Sequence, residues 1–227
     1  MILSFVCFRL FRADCQKVKY FFNELDIQID KPFVYVIKRA FKIVKRPDFF
    51  SIKKMTTLRP FTCTDLFKFN NVNLDPLTET YGLSFYMQYL AHWPEYFQVA
   101  ESPSGEIMGY IMGKAEGLAE NWHGHVTALT VSPDHRRLGL AAVLIKLLEE
   151  LSEKKQAYFV DLFVRVSNKV AIKMYQQLGY IVYRVVLEYY NGDPDENAYD
   201  MRKALSRDVN KKSIIPLTHP VRPEEVD

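Results

Sequence analysis

Residues 123–151 read HGHVTALTVSPDHRRLGLAAVLIKLLEEL, and this stretch decides the fold. Its first part, His123–Val131, is short and rich in β-branched and apolar residues, the composition of a strand. Pro133-Asp134 then turns the chain. From Leu138 to Lys154 the residues Leu140, Leu144, Leu147, Leu148 and Leu151 fall at i, i+4, i+7, i+8 and i+11, the apolar stripe of an amphipathic helix. Between the two stands Arg136-Arg137-Leu138-Gly139-Leu140-Ala141. The first turn of a helix offers N–H groups without partners and the positive end of a dipole. Gly139 and Ala141 carry little bulk, so an anion can approach the main chain there, and Arg136 and Arg137 add positive charge. The strand, turn and helix together predict a cradle for a phosphate or pyrophosphate.

Working outward, Tyr158–Val166 is apolar apart from Asp161 and Arg165, as a strand buried on both faces should be. Ser167 or Asn168 caps a helix through Leu178, and Gly179 closes it. Ile181–Tyr189 and Ala198–Lys203 read as final strands. On the other side a regular pattern starts at Met55. It predicts a strand over Thr56–Thr62, a short helix capped by Thr64 and running to Phe69, and a polar loop over Asn70–Thr80. A helix over Ser84–Trp93 ends at Pro94, and Tyr96–Glu101 and Glu106–Glu116 form a hairpin about Pro103-Ser104-Gly105. This order predicts one α/β domain with a mixed sheet over residues 55–205. Residues 206–227, broken by Pro216, Pro220 and Pro223, read as a tail, and residues 1–54 as a basic extension outside the core.

Composition narrows the class. The chain has 227 residues, 48% of them hydrophobic, enough for a sizeable core. No apolar run reaches the roughly 18 residues of a membrane span. Cys7, Cys15 and Cys63 make neither a disulfide framework nor a Cys-x-x-Cys zinc ribbon, which fits a reducing compartment. The net charge of +3 is uneven: residues 1–54 hold 12 basic and 5 acidic residues, the remainder 18 and 22. The acidic part is not the surface of a nucleic-acid binder. Phe33–Arg46, FVYVIKRAFKIVKR, is basic and apolar, the composition of a segment lying on a membrane or ribosomal surface. Arg9 and Arg12 follow the apolar start instead of preceding it, and acids recur from Asp14 to Asp48, so neither a signal nor a transit peptide is expected. A cytoplasmic location is the expectation.

RRLGLA after a strand, followed by a helix, a strand and SNKVAIKMYQQLGY, resembles the GNAT acetyltransferase family. MTTLRPFTCTDLFKFNNVNLDPLTETYG, FYMQYLAHWPEYF, WHGHVTAL, VDLFVRVSN, EYYNG and KKSIIPLTHPVRPEE narrow the resemblance to its NatB-type N-terminal acetyltransferase catalytic subunits. The likeness covers Met55–Asp227; residues 1–54 have no counterpart in the family pattern. It implies a mixed central sheet flanked by helices. It implies transfer of an acetyl group from acetyl-CoA, without a metal, to the α-amine of proteins beginning Met-Asp, Met-Glu, Met-Asn or Met-Gln. The expected partners are a large helical-repeat auxiliary subunit, the ribosome and nascent chains. By the same likeness Arg136, Arg137, Gly139, Leu140 and Ala141 hold the pyrophosphate, and Asn168 bonds the pantetheine chain. The main chain from Leu129 to Val131 supplies donors to the oxyanion, and Tyr175 protonates the departing thiolate. The loop from Glu79 to Tyr81 closes over the peptide, His125 and Thr127 face it, and Tyr189 and Tyr190 bond its backbone.

The residues themselves constrain the chemistry further. A protein α-amine has a pKa of about 7.7–8.0, so roughly a tenth is already neutral at pH 7, against fewer than one lysine in about a thousand. A modest base, even one acting through water, is then enough. His125 and Glu79 lead as candidates, with His123, His125 and Thr127 on one strand face by the period of two, and the choice of base stays open. A protonated His125 would suit an acidic second residue, and Tyr81 and Phe85 could wall a methionine. Asp65–Phe69 and Phe85–Trp93 are candidate contacts for a partner subunit. Two rivals remain: a GNAT enzyme acting on lysine or a small amine, which should carry a stronger carboxylate base, and a non-catalytic CoA-binding scaffold.

Overall fold

The computed structural model describes residues 56–75 and 77–226; the extension 1–54, its basic stretch and Met55 lie outside them. Seven strands and three α-helices occur among the described residues. They are β1 (Thr57–Pro60), α1 (Leu83–His92), β2 (Gln98–Glu101), β3 (Ile107–Glu116), β4 (His123–Val131), α2 (Leu140–Lys154), β5 (Phe159–Arg165), α3 (Lys169–Gln177), β6 (Ile181–Tyr190) and β7 (Glu196–Ala204). The strands form one sheet in the order β1-β2-β3-β4-β5-β7-β6. Every neighbouring pair is antiparallel except β4 and β5, which the crossover helix α2 makes parallel.

Two apolar cores lie on the two faces of the sheet. The alternation of β3 shows it: Ile111 and Ala115 join one core, Tyr110 and Met112 the other. Leu144, Ile145 and Leu148 of α2 and Ile172 and Tyr175 of α3 fill the first. Tyr86 and Tyr89 of α1 fill the second with Phe61, Phe69, Val72 and Phe97. Helix α2 comes so close to the sheet that a Cβ on Gly113 would lie 2.5 Å from the carbonyl oxygen of His125 and 2.6 Å from Leu148 Cδ1.

Three segments differ from the sequence expectation. The short helix after β1 is a 3-10 turn, Cys63–Phe67, capped by Thr62 instead of Thr64. The reason is Asp65, buried at its centre, which accepts hydrogen bonds from Thr62 N (2.8 Å) and from both Nη atoms of Arg59 (2.7 and 2.8 Å). Helix α2 starts at Leu140, not Leu138, because Arg137 (φ 64°) and Gly139 (φ 83°) are left-handed. The segment after Leu205, read as a tail, lies along β6: Leu217 N bonds Tyr183 O (2.8 Å), Val221 N bonds Val185 O (3.0 Å) and Leu187 N bonds Val221 O (2.9 Å).

Gly113→Ala should therefore lose about 1–3 kcal/mol of unfolding free energy through overpacking, read by urea denaturation. A second expectation concerns acid. The hydrogen bonds from Arg59, opposed by burial and helped by those from Thr62, hold the Asp65 carboxyl down at about 2. A depressed carboxylate stabilises above its unfolded pKa and loses that contribution as pH falls through the folded one. Asp65→Asn should cost about 2 kcal/mol at pH 7, and the gap to the parent should shrink between about pH 4 and pH 2.

Candidate active site

β4 and β5 pair only from His123–Val126 against Phe159–Leu162. Past Val126 they part. At that point Ala128 stands opposite Met112 and Val126 opposite Gly113, so Thr127 is the extra residue of a bulge. β4 stays paired with β3 through Val131, and β5 with β7 through Arg165. The gap between them is a cleft, lined by Val126–Leu129 and Leu162–Arg165, with Glu79, Asn168, Tyr175 and Tyr190 around it. Ser132 N donates to Met108 O at 2.8 Å. Alternation along β4 then turns the N–H groups of Val131 and Leu129 the other way, toward the gap.

On the α2/α3 face lie the residues expected to hold the acyl donor. Gly139 is the N-cap of α2 and no side chain caps this helix. The first helical bond runs from Val143 N to Gly139 O (3.1 Å), so the N–H groups of Leu140, Ala141 and Ala142 lack intrahelical acceptors. Leu140 buries its side chain with Ala100 and Met108, leaving only its main chain to serve. Arg136 bonds Val131 O (3.1 Å) and pairs with Asp75, tying the preceding loop to the end of β4. Arg137 contributes the left-handed turn before Gly139. Asn168 caps α3 through Ala171 N (3.1 Å) and lines the cleft. Tyr175 is buried beside it, and burial raises its phenol pKa, which keeps the proton on the oxygen at neutral pH.

The α1 face carries the aromatic residues. Tyr81 stacks on Phe85 (ring centroids 4.4 Å apart) and donates from its hydroxyl to Thr127 O (3.4 Å). Tyr89 OH and Thr127 Oγ1 are 2.8 Å apart. Tyr189 packs on Phe163 (4.7 Å) and edge-on to Tyr190 (5.0 Å). Burial pushes Tyr189 up to about 12, and Tyr81 and Tyr190 upward as well, so all three are neutral hydrogen-bonding groups near pH 7. Glu79 accepts from Arg165 Nε at 3.1 Å.

His125 is buried and absent from the cleft lining. Its Nδ1 lies 2.8 Å from Asp161 Oδ1 and its ring 5.5 Å from that of Phe163. His123 Nδ1 donates to Asn121 O (2.6 Å), and its Nε2 is 3.6 Å from Asp161 Oδ2. Two imidazoles thus share one carboxylate. Burial pushes the Asp161 carboxyl up, but the attraction and hydrogen bond of His125, with His123 and Arg202, prevail and hold it below its ordinary value. Glu116, His123 and His125 also offer ligand atoms within 4.8 Å of one another, the one such group among the described residues. Asp161, Arg165, Tyr89 and Phe163 are not among the site residues that the sequence predicts. The signal for the first two was present, since they are the only polar breaks in an apolar strand.

The model of the acetyltransferase (GNAT) family matches residues 64–180. The N-terminal acetyltransferase B complex catalytic subunit NAA20 of Arabidopsis thaliana is 63% identical over 174 residues, 76% of this chain and 99% of the relative. The chain belongs to the NatB catalytic-subunit family of GNAT N-terminal acetyltransferases. A crystal structure of Chaetomium thermophilum Naa20 in complex with a bisubstrate analogue superposes with a TM-score of 0.71 at 47% identity, covering 74% of this chain and 97% of that one. The NatB acetyltransferase complex bound to CoA and MES gives 0.61 at 46% identity, over 66% and 99% of the two chains. The mixed sheet flanked by helices, expected from the sequence, is the GNAT fold of this family.

Asp161→Ala would remove the hydrogen-bond partner of His125 Nδ1 and the carboxylate beside His123. Leaving a buried polar group without its partner costs about 1–3 kcal/mol, so the variant should show a Tm below the parent.

Proposed function

We propose that the chain transfers the acetyl group of acetyl-CoA to the α-amine of proteins beginning Met-Asp, Met-Glu, Met-Asn or Met-Gln. It does so as the catalytic subunit of a NatB-type complex, in the cytoplasm, on nascent chains at the ribosome. The observation that carries this reading is the gap between β4 and β5, with Asn168 and Tyr175 on one face and Glu79, Tyr81 and Tyr190 on the other. A thioester held from the α2 side and an amine arriving from the α1 side would meet in it.

The free N–H groups at the start of α2 suit a pyrophosphate, and the left-handed Gly139 keeps the approach open. The amine nitrogen attacks the thioester carbon, an N–C bond forms and the C–S bond breaks. The main-chain donors of Leu129 and Val131 face the position where negative charge develops on the oxygen. The amine gives its surplus proton to solvent or to a neighbouring base. The thiolate takes one from Tyr175, whose phenol lines the cleft and is protonated at neutral pH. Holding both reactants at one point supplies much of the acceleration.

Glu79 is the sole carboxylate lining the cleft among the described residues, and Arg165 already engages it. That disfavours an enzyme for lysine, whose amine needs a strong base. The stacked Tyr81 and Phe85 suit a methionine side chain, and Tyr189 and Tyr190 a peptide backbone. Of the two surfaces considered for a partner, Tyr86 and Tyr89 belong to the core, whereas Phe67 and Met87 are exposed and suit the auxiliary subunit.

The complex should release thiol from acetyl-CoA with Met-Asp and Met-Glu peptides and not with peptides whose only amines are lysines. Tyr175→Phe should lower kcat by about 10²–10⁴ with little change in the KM for acetyl-CoA. Lysine acetylation by the parent protein would overturn the reading.

A further inference from the structure

Arg165 is the last residue of β5 and a wall of the cleft. Its guanidinium serves three partners at once. Nε and Nη2 donate to Glu79 Oε1, Nη1 donates to Glu196 Oε2 at 3.1 Å, and Cζ lies 4.1 Å from the centre of the Tyr190 ring. Glu196 in turn accepts from Ser167 N at 2.7 Å, the residue before the Asn168 cap. One planar cation thereby joins the loop before α1 and the β6–β7 hairpin, 86 and 31 residues away along the chain, and through Glu196 it reaches the turn into α3.

Such a contact is a poor stability device. Glu79 is 42% exposed and Glu196 26%, and ion pairs of that kind add little to folding. Geometry is what it supplies. The planar fork fixes a direction for each carboxylate while its face stays free to stack on an aromatic ring, which a lysine ammonium cannot do. The loop is fastened at Thr78 by Thr130 (3.2 Å) and at Tyr81 by Thr127 O and Tyr86 OH. Between those points Glu79 is held by Arg165.

We infer that Arg165 is a positioning residue that sets Glu79 and Tyr190 at the peptide mouth of the cleft and so governs peptide binding and not the acyl donor. The inference rests on the proposed acetyl transfer to peptide α-amines. It predicts a selective effect, because its direct contacts at the cleft, Glu79 and Tyr190, lie on the α1 side, and it reaches the turn into α3 only by way of Glu196.

The test uses the full chain with its auxiliary subunit, a Met-Asp peptide and acetyl-CoA. Arg165→Ala should raise the peptide KM at least tenfold and leave the acetyl-CoA KM within twofold. Arg165→Lys, which keeps the charge and loses the fork, should fall between parent and alanine variant. Glu196→Gln, a milder change that guards against misfolding, should raise the peptide KM two- to fivefold. Hydrogen exchange supplies a readout independent of turnover: amides of residues 79–81 should exchange at least tenfold faster in Arg165→Ala, with those of α2 unchanged. A peptide KM within twofold of the parent, a parallel rise in both KM values, or unchanged exchange at residues 79–81 would overturn the inference. Failure of the parent to acetylate the peptide would instead strike at the acetyltransferase reading, and the exchange result would still decide the role of Arg165.

Discussion

Everything at the site depends on where the hydrogen bonds between β4 and β5 stop. A sheet interrupted in its middle exposes main-chain donors and acceptors that are costly to bury without partners. Here the interruption is tolerable because each strand keeps its other neighbour, β3 for β4 and β7 for β5. The two halves are also gripped from both faces, by α2 and α3 on one and by α1 with the 3-10 turns on the other. The result is a passage through the sheet whose walls each keep a ladder on their outer side, so the main-chain groups of Leu129 and Val131 are held by the pairing with β3. A donor fixed before the reaction needs no reorganisation during it, which is the condition for stabilising a developing charge.

Behind the passage the sheet carries an unusual concentration of buried charge. Asp200 is fully buried, with Arg184 Nε at 2.8 Å and Arg202 Nη2 at 3.3 Å. Arg202 lies over the rings of Phe159 (4.6 Å) and Tyr183 (3.7 Å). Burial and the nearby Asp161 raise the Asp200 carboxyl against the pull of the arginines. Buried pairs of this sort contribute little net stability, but they tolerate one register only. A slip of one residue between β5 and β7 would move every partner to the opposite face. The same register brings Arg165 opposite Ala198 at the mouth. Charges inside the sheet thus fix where a charge at its edge falls.

The sequence made the strand, turn and helix legible because periodicity and composition agreed there. The stripe from Leu140 to Leu151 and the cap at Asn168 need only local rules, and both stand in the structure. What it did not disclose depends on contacts between distant segments. Asp65 decides the turn after β1 through Arg59 and Thr62, and no pattern within that turn names the arginine. Asp161 and Arg165 were visible as polar interruptions of β5, yet their meaning lies in His125, Glu79 and Tyr190, which only the folded chain brings to them. The two-residue late start of α2 has a local cause, the left-handed Arg137, but a non-glycine residue in that conformation is uncommon enough that sequence gives no warning.

The C-terminal segment shows how far a composition rule can mislead. Pro216, Pro220 and Pro223 suggest a chain that cannot join a sheet. An edge strand, however, demands partners on one side only, so a proline-broken segment can bond β6 at the residues that keep their N–H groups. Leu217 and Val221 are those residues, and Val221 is buried with Val186 and Ala198 against Phe163, Tyr189 and Tyr190. This covers an edge that would otherwise be open to another chain. It also backs the two tyrosines where β6 is itself irregular: its register to β7 shifts between Val186 and Tyr190, and Glu188 is left-handed (φ 52°) with its N–H bonded to Asn197 Oδ1 at 2.9 Å. Irregular residues thus stand at Thr127, on the β4 wall of the cleft, and at Glu188, next to Tyr189 and Tyr190 in β6. Each deviation is held by a bond to a neighbouring element, so the departures from regular sheet that shape the site are as firmly specified as the sheet.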